Sequence, residues 1–310
     1  MESTDFPITI VIPVHNRAGI VGDTLRSVES QTYRPLRVIV VDNGSTDDTP
    51  AVVEDWKQRA ETDTLRIDIL TEAQPGATAA RNRGLEEVQS EYVMFFDSDD
   101  IMHPGHVARA MKGFSSASNP DIVGWDVTIH PIGAAHQYKR KFRTSSPIWH
   151  HMIHGNMSTQ RYAARTELMR RAGGWNNAIK GWNDLELGIR LLKLHPRLLK
   201  LPGASTVDVI QREVSITGTD FSRGAGKWER SLEAISASLS SQRHRRWVRL
   251  RMAHLAGLYA SEGSAALARD LLAKTLTDEP SRLYRPLFTF TAWLTGHRIR
   301  GALTLMRPFF

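Results

Sequence analysis

The chain contains no cysteine, and that one absence removes disulfides, thiolate metal sites and cysteine nucleophiles together. It fits a reducing compartment and leaves exported proteins open as well. Long apolar runs are missing too. A membrane-spanning helix needs about 18 apolar residues or more, and the best uncharged run, residues 286–296, falls well short. No GxGxxG follows the first apolar stretch and GxxxxGK[ST] occurs nowhere, so dinucleotide-binding and P-loop readings lose support. Met1-Glu2-Ser3-Thr4-Asp5-Phe6-Pro7 is acidic and leads straight into a β-branched stretch, so no signal peptide is expected there. Acid is scarce at the other end. Residues 223–310 hold 15 Lys and Arg against 6 Asp and Glu, a net of +9, which leaves 25 against 27, a net of −2, for residues 1–222. Such asymmetry points to different partners for the two portions.

What is present suits one large α/β domain with a helical appendage: 310 residues, 41% hydrophobic and 24% charged. Ile8-Thr9-Ile10-Val11-Ile12-Pro13-Val14 reads as a first strand, followed by the polar turn His15-Asn16-Arg17 and a helix to about Gln31. Leu36 to Val41 makes a second strand running into Asp42-Asn43-Gly44-Ser45-Thr46-Asp47-Asp48, where Ser45 or Thr46 can cap the helix that carries Val52, Val53 and Trp56. Leu65 to Leu70 alternates as a third strand. Gln74-Pro75-Gly76 then breaks the chain before the small-residue helix of Ala77 to Leu85. Tyr92-Val93-Met94-Phe95-Phe96 is a fourth strand, apolar on both faces. Four strands alternating with three helices predict a doubly wound, mostly parallel sheet. A helix is expected from His106 to Phe114, one strand from Asp121 to Ile129, a basic patch at Lys139-Arg140-Lys141-Phe142-Arg143, a helix opening near Asp184 and a short strand from Ser205 to Ile210. From Gly224 onward the pattern is helical, broken at Gly263 and at Asp278-Glu279-Pro280.

The fourth strand stops at Asp97-Ser98-Asp99-Asp100. Carboxylates this close repel unless something positive lies between them, and Mg²⁺ or Mn²⁺ shared with phosphate oxygens is a natural neutraliser. The alternative is that Asp99 or Asp100 caps the helix near Gly105, or that all three are solvated turn residues. Ligands of open α/β sheets bind outside the carboxyl ends of strands, and the ends of three strands here carry polar groups. Asp42 suits a ribose or a base edge. Arg81 offers a phosphate contact or a surface ion pair.

These blocks resemble family 2 glycosyltransferases. The likeness rests on Val11 through Arg17, Val41 through Thr49, Gly76 through Gly84 with Ala80-Arg81-Asn82-Arg83, Asp97-Ser98-Asp99-Asp100 as the DxD motif, and Gly173-Gly174-Trp175 with Trp182-Asn183-Asp184. They occur in the family's order over residues 8–215. The resemblance implies a GT-A fold on residues 1–222, with a nucleotide-sugar half (about 1–104) and an acceptor half (about 105–222), and a basic helical region over residues 223–310. It implies inverting, divalent-cation-dependent transfer of a sugar from a nucleotide diphosphate donor to a glycan or lipid-linked acceptor, in bacterial surface polysaccharide or glycolipid synthesis. Pro13, His15, Arg17 and Asp42 would line the nucleoside pocket, Asp97 would face ribose or metal, Asp99 would hold the metal, and Asp184 would be the general base. One base is enough for a single displacement in which the acceptor hydroxyl loses its proton as it attacks. Locally, Asp184 also reads as a helix cap. Trp182, Asn183 and Glu186 belong to the acceptor side, although Glu186 also reads as an exposed residue. Trp175 and Trp182 suit either stacking on a sugar or the core.

The chain departs from the family in two places. Asn183 stands where a Glu is common before the base, and Arg212 lies near the position of a common His. Arginine cannot ligate a cation but can clamp a phosphate bidentately, so Arg212 becomes a candidate diphosphate contact. In the tail, arginines 243, 245, 246, 249 and 251 with Trp247, and Arg285, Phe288, Phe290, Trp293, Arg298, Arg300, Phe309 and Phe310, suit an anionic membrane face. Packing on the catalytic part or on another subunit accounts for them equally, and nucleic acid is not expected. The whole reads as a cytoplasmic enzyme, peripheral at the inner face of the membrane. Its rivals are a sugar-nucleotide-binding or scaffolding protein without turnover, and a nucleotidyltransferase on a similar sheet.

Overall fold

A computed structural model describes residues 6–134, 136–212 and 220–310. Residues 213–215, part of the stretch searched for the family's His, lie outside them. Contacts divide the chain into two compact units. The first comprises residues 1–145, 156–177 and 191–214, and the second residues 146–155, 178–190 and 215–310.

In the first unit, β1 (Ile8–Val14), α1 (Val21–Glu29), β2 (Leu36–Asp42), α2 (Thr49–Ala60), β3 (Leu65–Thr71), α3 (Ala77–Glu87) and β4 (Tyr92–Phe95) alternate as expected. After them come β5 (Ile101–Met102), α4 (His106–Phe114), β6 (Ile122–Gly124), β7 (Val127–His130) and β8 (Tyr138–Arg140). The helix α5 (Pro147–His154) belongs to the second unit. The chain continues with β9 (Tyr162–Arg165), α6 (Thr166–Arg171), α7 (Asn183–Lys193), β10 (Leu198–Lys200) and β11 (Val207–Ile210).

A seven-stranded sheet has the order β10-β6-β9-β4-β1-β2-β3, and a four-stranded one the order β5-β11-β7-β8. β4, β1, β2 and β3 run parallel, and β9 is antiparallel to both its neighbours. β1 is buried along its whole length, which its unbroken β-branched sequence requires of a strand covered on both faces. β3, at the edge, buries only alternate residues at its start, as its sequence alternates.

Two expectations need correction. The single strand from Asp121 to Ile129 is two strands in different sheets. The backbone leaves strand conformation at Trp125 and Asp126, where Asp126 accepts from the Phe142 N–H (2.7 Å) and pairs with Lys200 (2.9 Å). The cap of α2 is Asp48, not Ser45 or Thr46. Those two are engaged by Asn16, whose N–H donates to Ser45 Oγ (3.0 Å) and whose Oδ1 accepts from the Thr46 N–H (2.8 Å).

The second unit also contains α8 (Ala225–Ser238), α9 (Gln242–Ser261), α10 (Ala265–Thr277), α11 (Arg285–Gly296) and α12 (Ala302–Leu305). Their core includes Trp228, Leu232, Val248, Leu255, Tyr259 and Phe288. Four of the five α9 arginines are bound within it, while Arg243 is exposed and donates to the Phe310 carbonyl. Arg246 and Arg249 pair with Glu279, which is 0% exposed, at 3.2 and 2.7 Å. Arg245 donates to the Leu239 carbonyl, and Arg251 to those of Met152 and Ile153. Trp247 is buried edge-on against Trp149.

Two predictions follow from the packing of the first unit. A Cβ on Gly84 of α3 would stand 2.3 Å from Val11 Cγ1 and 3.3 Å from Val41 Cγ2, so Gly84→Ala should cost roughly 1–3 kcal/mol, read as a lowered melting temperature. His106 is fully buried, with Nδ1 2.8 Å from Thr206 Oγ1 and its ring edge-on to Trp125. Burial, then the charges of Arg109 and His103, pull it from 6.5 down to about 3. The unfolded chain therefore takes up a proton below pH 6.5 that the folded one refuses, and stability falls as the pH drops from 6.5 toward 3. Melts across this window should show a loss of roughly 1–3 kcal/mol from this group by about pH 4.5. His106→Gln should show a shallower acid slope.

Candidate active site

The carboxyl ends of β1, β2 and β4 are neighbours in the sheet, with Val14 level with Asp42 and Val11 level with Phe95. The first unit therefore brings Pro13, His15, Arg17, Asp42, Asp97 and Asp99 to one rim. Pro13 is a buried residue of β1. His15 Nδ1 lies 2.8 Å from the Asn43 carbonyl. A carbonyl only accepts, so Nδ1 carries the proton of this bond, and Nε2 lies 3.5 Å from the Asn16 side-chain amide. The Arg17 N–H donates to Thr49 Oγ1 (2.6 Å), which fixes the backbone of the turn, and its guanidinium donates to the Asn16 carbonyl (3.3 Å).

Asp42 accepts from the Ser45 N–H through Oδ2 (3.2 Å), while Oδ1 is buried with no partner among the described residues. A buried acceptor without a donor is costly in water-free surroundings, and a ribose hydroxyl or a base N–H would satisfy it. Asn43 is the residue that sequence reasoning passed over. Its Nδ2 donates to the carbonyls of Glu72 and Gln74 (2.8 Å each), and its Oδ1 accepts from the Gly76 N–H (2.6 Å). The only signal was its place beside Gly44 in a polar turn.

Arg81 projects from α3 and donates to Asp97 Oδ1 (2.7 Å) with its side chain 8% exposed, and its guanidinium lies 5.6 Å from the Trp175 ring. Trp175 itself is buried against Phe95, at 4.4 Å and edge-on, so of its two readings the core one holds. Asn82, one residue on, receives the Trp175 N–H and donates to the Trp175 carbonyl, both at 2.8 Å. Gly174 allows this approach: its φ is +60°, and a Cβ there would come within 2.5 Å of Asn82 Oδ1.

Asp99 and Asp100 are not solvated turn residues, and neither caps α4, whose cap is Gly105. Burial, then the Asp97 carboxylate, pushes Asp99 above the ordinary carboxylate range, while Arg17 and Arg212 pull it back. Asp100 is 2% exposed. Burial, then Asp97 and Asp99, pushes it well above that range, opposed by the Ile210 N–H, which donates to Oδ1 at 2.9 Å, and by the Gln160 side chain. Its Oδ2 and the Nε of Arg212 are buried without a partner among the described residues. β11 thus delivers both a backbone donor for Asp100 and, two residues later, a cation for Asp99.

Among the described residues, no group of three or more His, Asp or Glu side chains is arranged to hold a metal ion. A pair of mutually repelling acids still fits a hard cation that takes one or two carboxylates and completes its shell with phosphate and water.

The acceptor-side residues predicted from sequence stand at the start of α7, in the second unit. Trp182 has φ +46° and lies 5.1 Å from Trp228, with the Arg251 guanidinium 4.6 Å from its ring. Asn183 and Asp184 are half-buried in the first turn. Glu186 is not exposed: it is 6% accessible and holds Arg190 bidentately, 2.7 Å for each bond.

The sequence model of Glycosyl transferase family 2 matches residues 9–172. Glycosyltransferase GlyA of Streptococcus pneumoniae is 37% identical over 35% of this chain and 15% of its own, and glycosyltransferase AglE of Haloferax volcanii is 34% identical over 44% of this chain and 46% of its own. A Campylobacter jejuni GalNAc(5)-diNAcBac-PP-undecaprenol beta-1,3-glucosyltransferase is 27% identical over 34% of this chain and 33% of its own. The matched stretches thus span less than half of each of these relatives. Among solved structures, S. aureus TarS 1-349 in complex with UDP superposes with a TM-score of 0.68 at 16% identity, over 98% of this chain and 92% of its own. The mannosyltransferase PcManGT of Pyrobaculum calidifontis, in complex with GDP-Man and Mn²⁺, gives 0.60 at 17% identity, over 99% and 88%. The fold is the expected GT-A architecture with a helical carboxyl-terminal region.

Asp100 yields a prediction of its own. With its folded value raised, the charged form costs stability above the ordinary carboxylate value of 3.8, and the cost grows with pH until the group is fully ionised. Asp100→Asn keeps an acceptor for the Ile210 N–H and removes the charge. It should melt about 2–4 °C higher at neutral pH, with the gain shrinking as the pH is lowered toward 4.

Proposed function

The chain belongs to glycosyl transferase family 2, and from that premise we propose that it moves a sugar, with inversion, from a nucleoside diphosphate donor to an acceptor hydroxyl. The observation that carries this reading is the row of polar strand ends. A buried, unsatisfied Asp42 oxygen lies on one strand end, and Asp97 and Asp99, with Arg17 and Arg212 acting on Asp99, lie on another. The first suits a nucleoside and the second a diphosphate. The UDP and GDP-Man bound by the two solved neighbours support the same donor class.

In this reading His15 Nε2 and Asp42 Oδ1 receive nucleoside donors over the floor formed by Pro13. Asp97 is oriented by Arg81 toward the ribose or cation side. Asp99, with Asp97, would hold Mn²⁺ or Mg²⁺, a choice supported by the Mn²⁺ in the PcManGT complex. That cation supplies charge neutralisation to the departing diphosphate. Arg212 adds a second positive group by direct contact with a phosphate oxygen, since it can clamp but not ligate. Asp184 takes the proton from the attacking acceptor hydroxyl. Trp182 and Asn183 flank that acceptor, and Glu186 acts through its clamp on Arg190. The acceptor is a glycan or a lipid-linked glycan of bacterial surface polysaccharide or glycolipid synthesis. The PP-undecaprenol in the name of the Campylobacter relative supports that class.

The test compares donor binding by calorimetry, with Mn²⁺ and with chelator, against sugar release or transfer. Asp99→Asn should weaken metal-dependent donor binding. Asp184→Asn should bind donor within about twofold of wild type yet lose about 10²–10⁴-fold in transfer, the range of a general base. Wild-type donor binding without any turnover would favour the binding-protein reading, and equal activity in all three proteins would defeat the mechanism.

A further inference from the structure

Among the described residues nine large apolar side chains are exposed, and six of them fall between 283 and 309: Leu283, Phe290, Trp293, Ile299, Leu305 and Phe309. Over residues 280–310 there are five arginines and no acid. The helical period separates two faces of α11. Phe288, Thr291, Ala292 and Thr295 are buried, while Phe290 and Trp293 are about half exposed and stack on each other at 6.0 Å and 8°. Trp293 in turn packs on His297 at 4.4 Å. α12 repeats the pattern, with Ala302 and Leu303 inside and Leu305 outside. Arg282, Arg298, Arg300 and Arg307 are exposed, and none makes an ion pair among the described residues. Arg298 and Arg300 also line a cavity of about 470 Å³, with Ser261, Thr295 and Thr304 as further polar groups.

We infer that the outer face of α11 and α12 docks on an anionic phospholipid bilayer, with Phe290 and Trp293 at the acyl boundary and the arginines among the headgroups. Aromatic and aliphatic side chains beside unpaired arginines, without acid, are the composition that binds such a surface. No helix among the described residues is long and apolar enough to cross a membrane, so the contact is with the bilayer surface. A second copy of this chain is a poorer occupant. A two-fold contact would set the same arginine-rich patch against itself, with no carboxylate from 280–310 to compensate. The face is also narrower than composition suggests, because Arg245, Arg246, Arg249 and Arg251 of α9 are bound inside the unit. This inference rests on the surface alone and not on the transfer reaction.

Co-sedimentation of the full chain with phosphatidylcholine vesicles, with and without phosphatidylglycerol, at low and high salt, tests it. Pelleting should require phosphatidylglycerol and fade at high salt. Phe290→Ser with Trp293→Ser, and separately Arg298→Glu with Arg300→Glu and Arg307→Glu, should each lower partitioning by about tenfold or more while leaving the melting temperature and donor binding unchanged. No pelleting of wild type at low salt, or pelleting of both variants like wild type, would overturn the inference. So would a concentration-dependent dimer in size-exclusion chromatography that the Phe290/Trp293 variant abolishes. Unchanged donor binding in these variants keeps the catalytic proposal separate from this result.

Discussion

Two adjacent carboxylates, Asp99 and Asp100, are held largely out of water at the end of β4, and the surrounding elements are arranged around that cost. Charge in a poorly solvated site must be paired, hydrogen-bonded or neutralised by protonation. Here four opposing groups come from three places: Arg17 after β1, the Ile210 N–H at the end of β11 with Arg212 just beyond it, and Gln160 before β9. Asp97 is calmed separately by Arg81 from α3. The Ile210 N–H is held by the register of β11, the Arg17 backbone by Thr49, and Arg81 by α3, and these groups oppose the acids without any ligand. A site of this kind is already shaped for a polyanion or a cation–polyanion pair.

Much of this was legible in the sequence where the physics is local. The strands β1, β2 and β4 are continuous apolar runs, and burial on both faces of a parallel sheet leaves them little else to be. The acids at their ends had to lie at the rim. What was not legible depended on partners far along the chain. Ser45 and Thr46 have good capping side chains, yet Asn16 claims them. Residues 121–129 look like one strand because nothing local reveals that Asp126 will be drawn to Phe142 and Lys200. Glu186 looks solvated until Arg190 closes over it, and Arg246 and Arg249 look like surface charge until Glu279 is found beneath them. In each case a side chain had two chemically sensible uses and the choice was tertiary.

The second unit shows the same economy with its charges. A helical core that accommodates Glu279 at zero exposure does so with two arginines, since a single lost partner would leave a buried ion uncompensated. The five arginines of residues 280–310 have no acidic side chain beside them in sequence, so this stretch carries five of the tail's nine net positive charges.

Asn43 has a consequence for the thermodynamics of ligand entry. Its backbone N–H is bonded to the Val14 carbonyl at 2.9 Å, its carbonyl to His15, and its amide to Glu72, Gln74 and Gly76. One residue, through its backbone and its side chain, therefore ties together the segments around the ends of β1, β2 and β3. Loops so tied have lost their conformational freedom during folding, so a ligand does not have to order them on arrival. Association at this rim would carry a smaller entropic penalty than a set of loose loops would impose, and discrimination between ligands would fall to the few donors and acceptors that Asn43 leaves open.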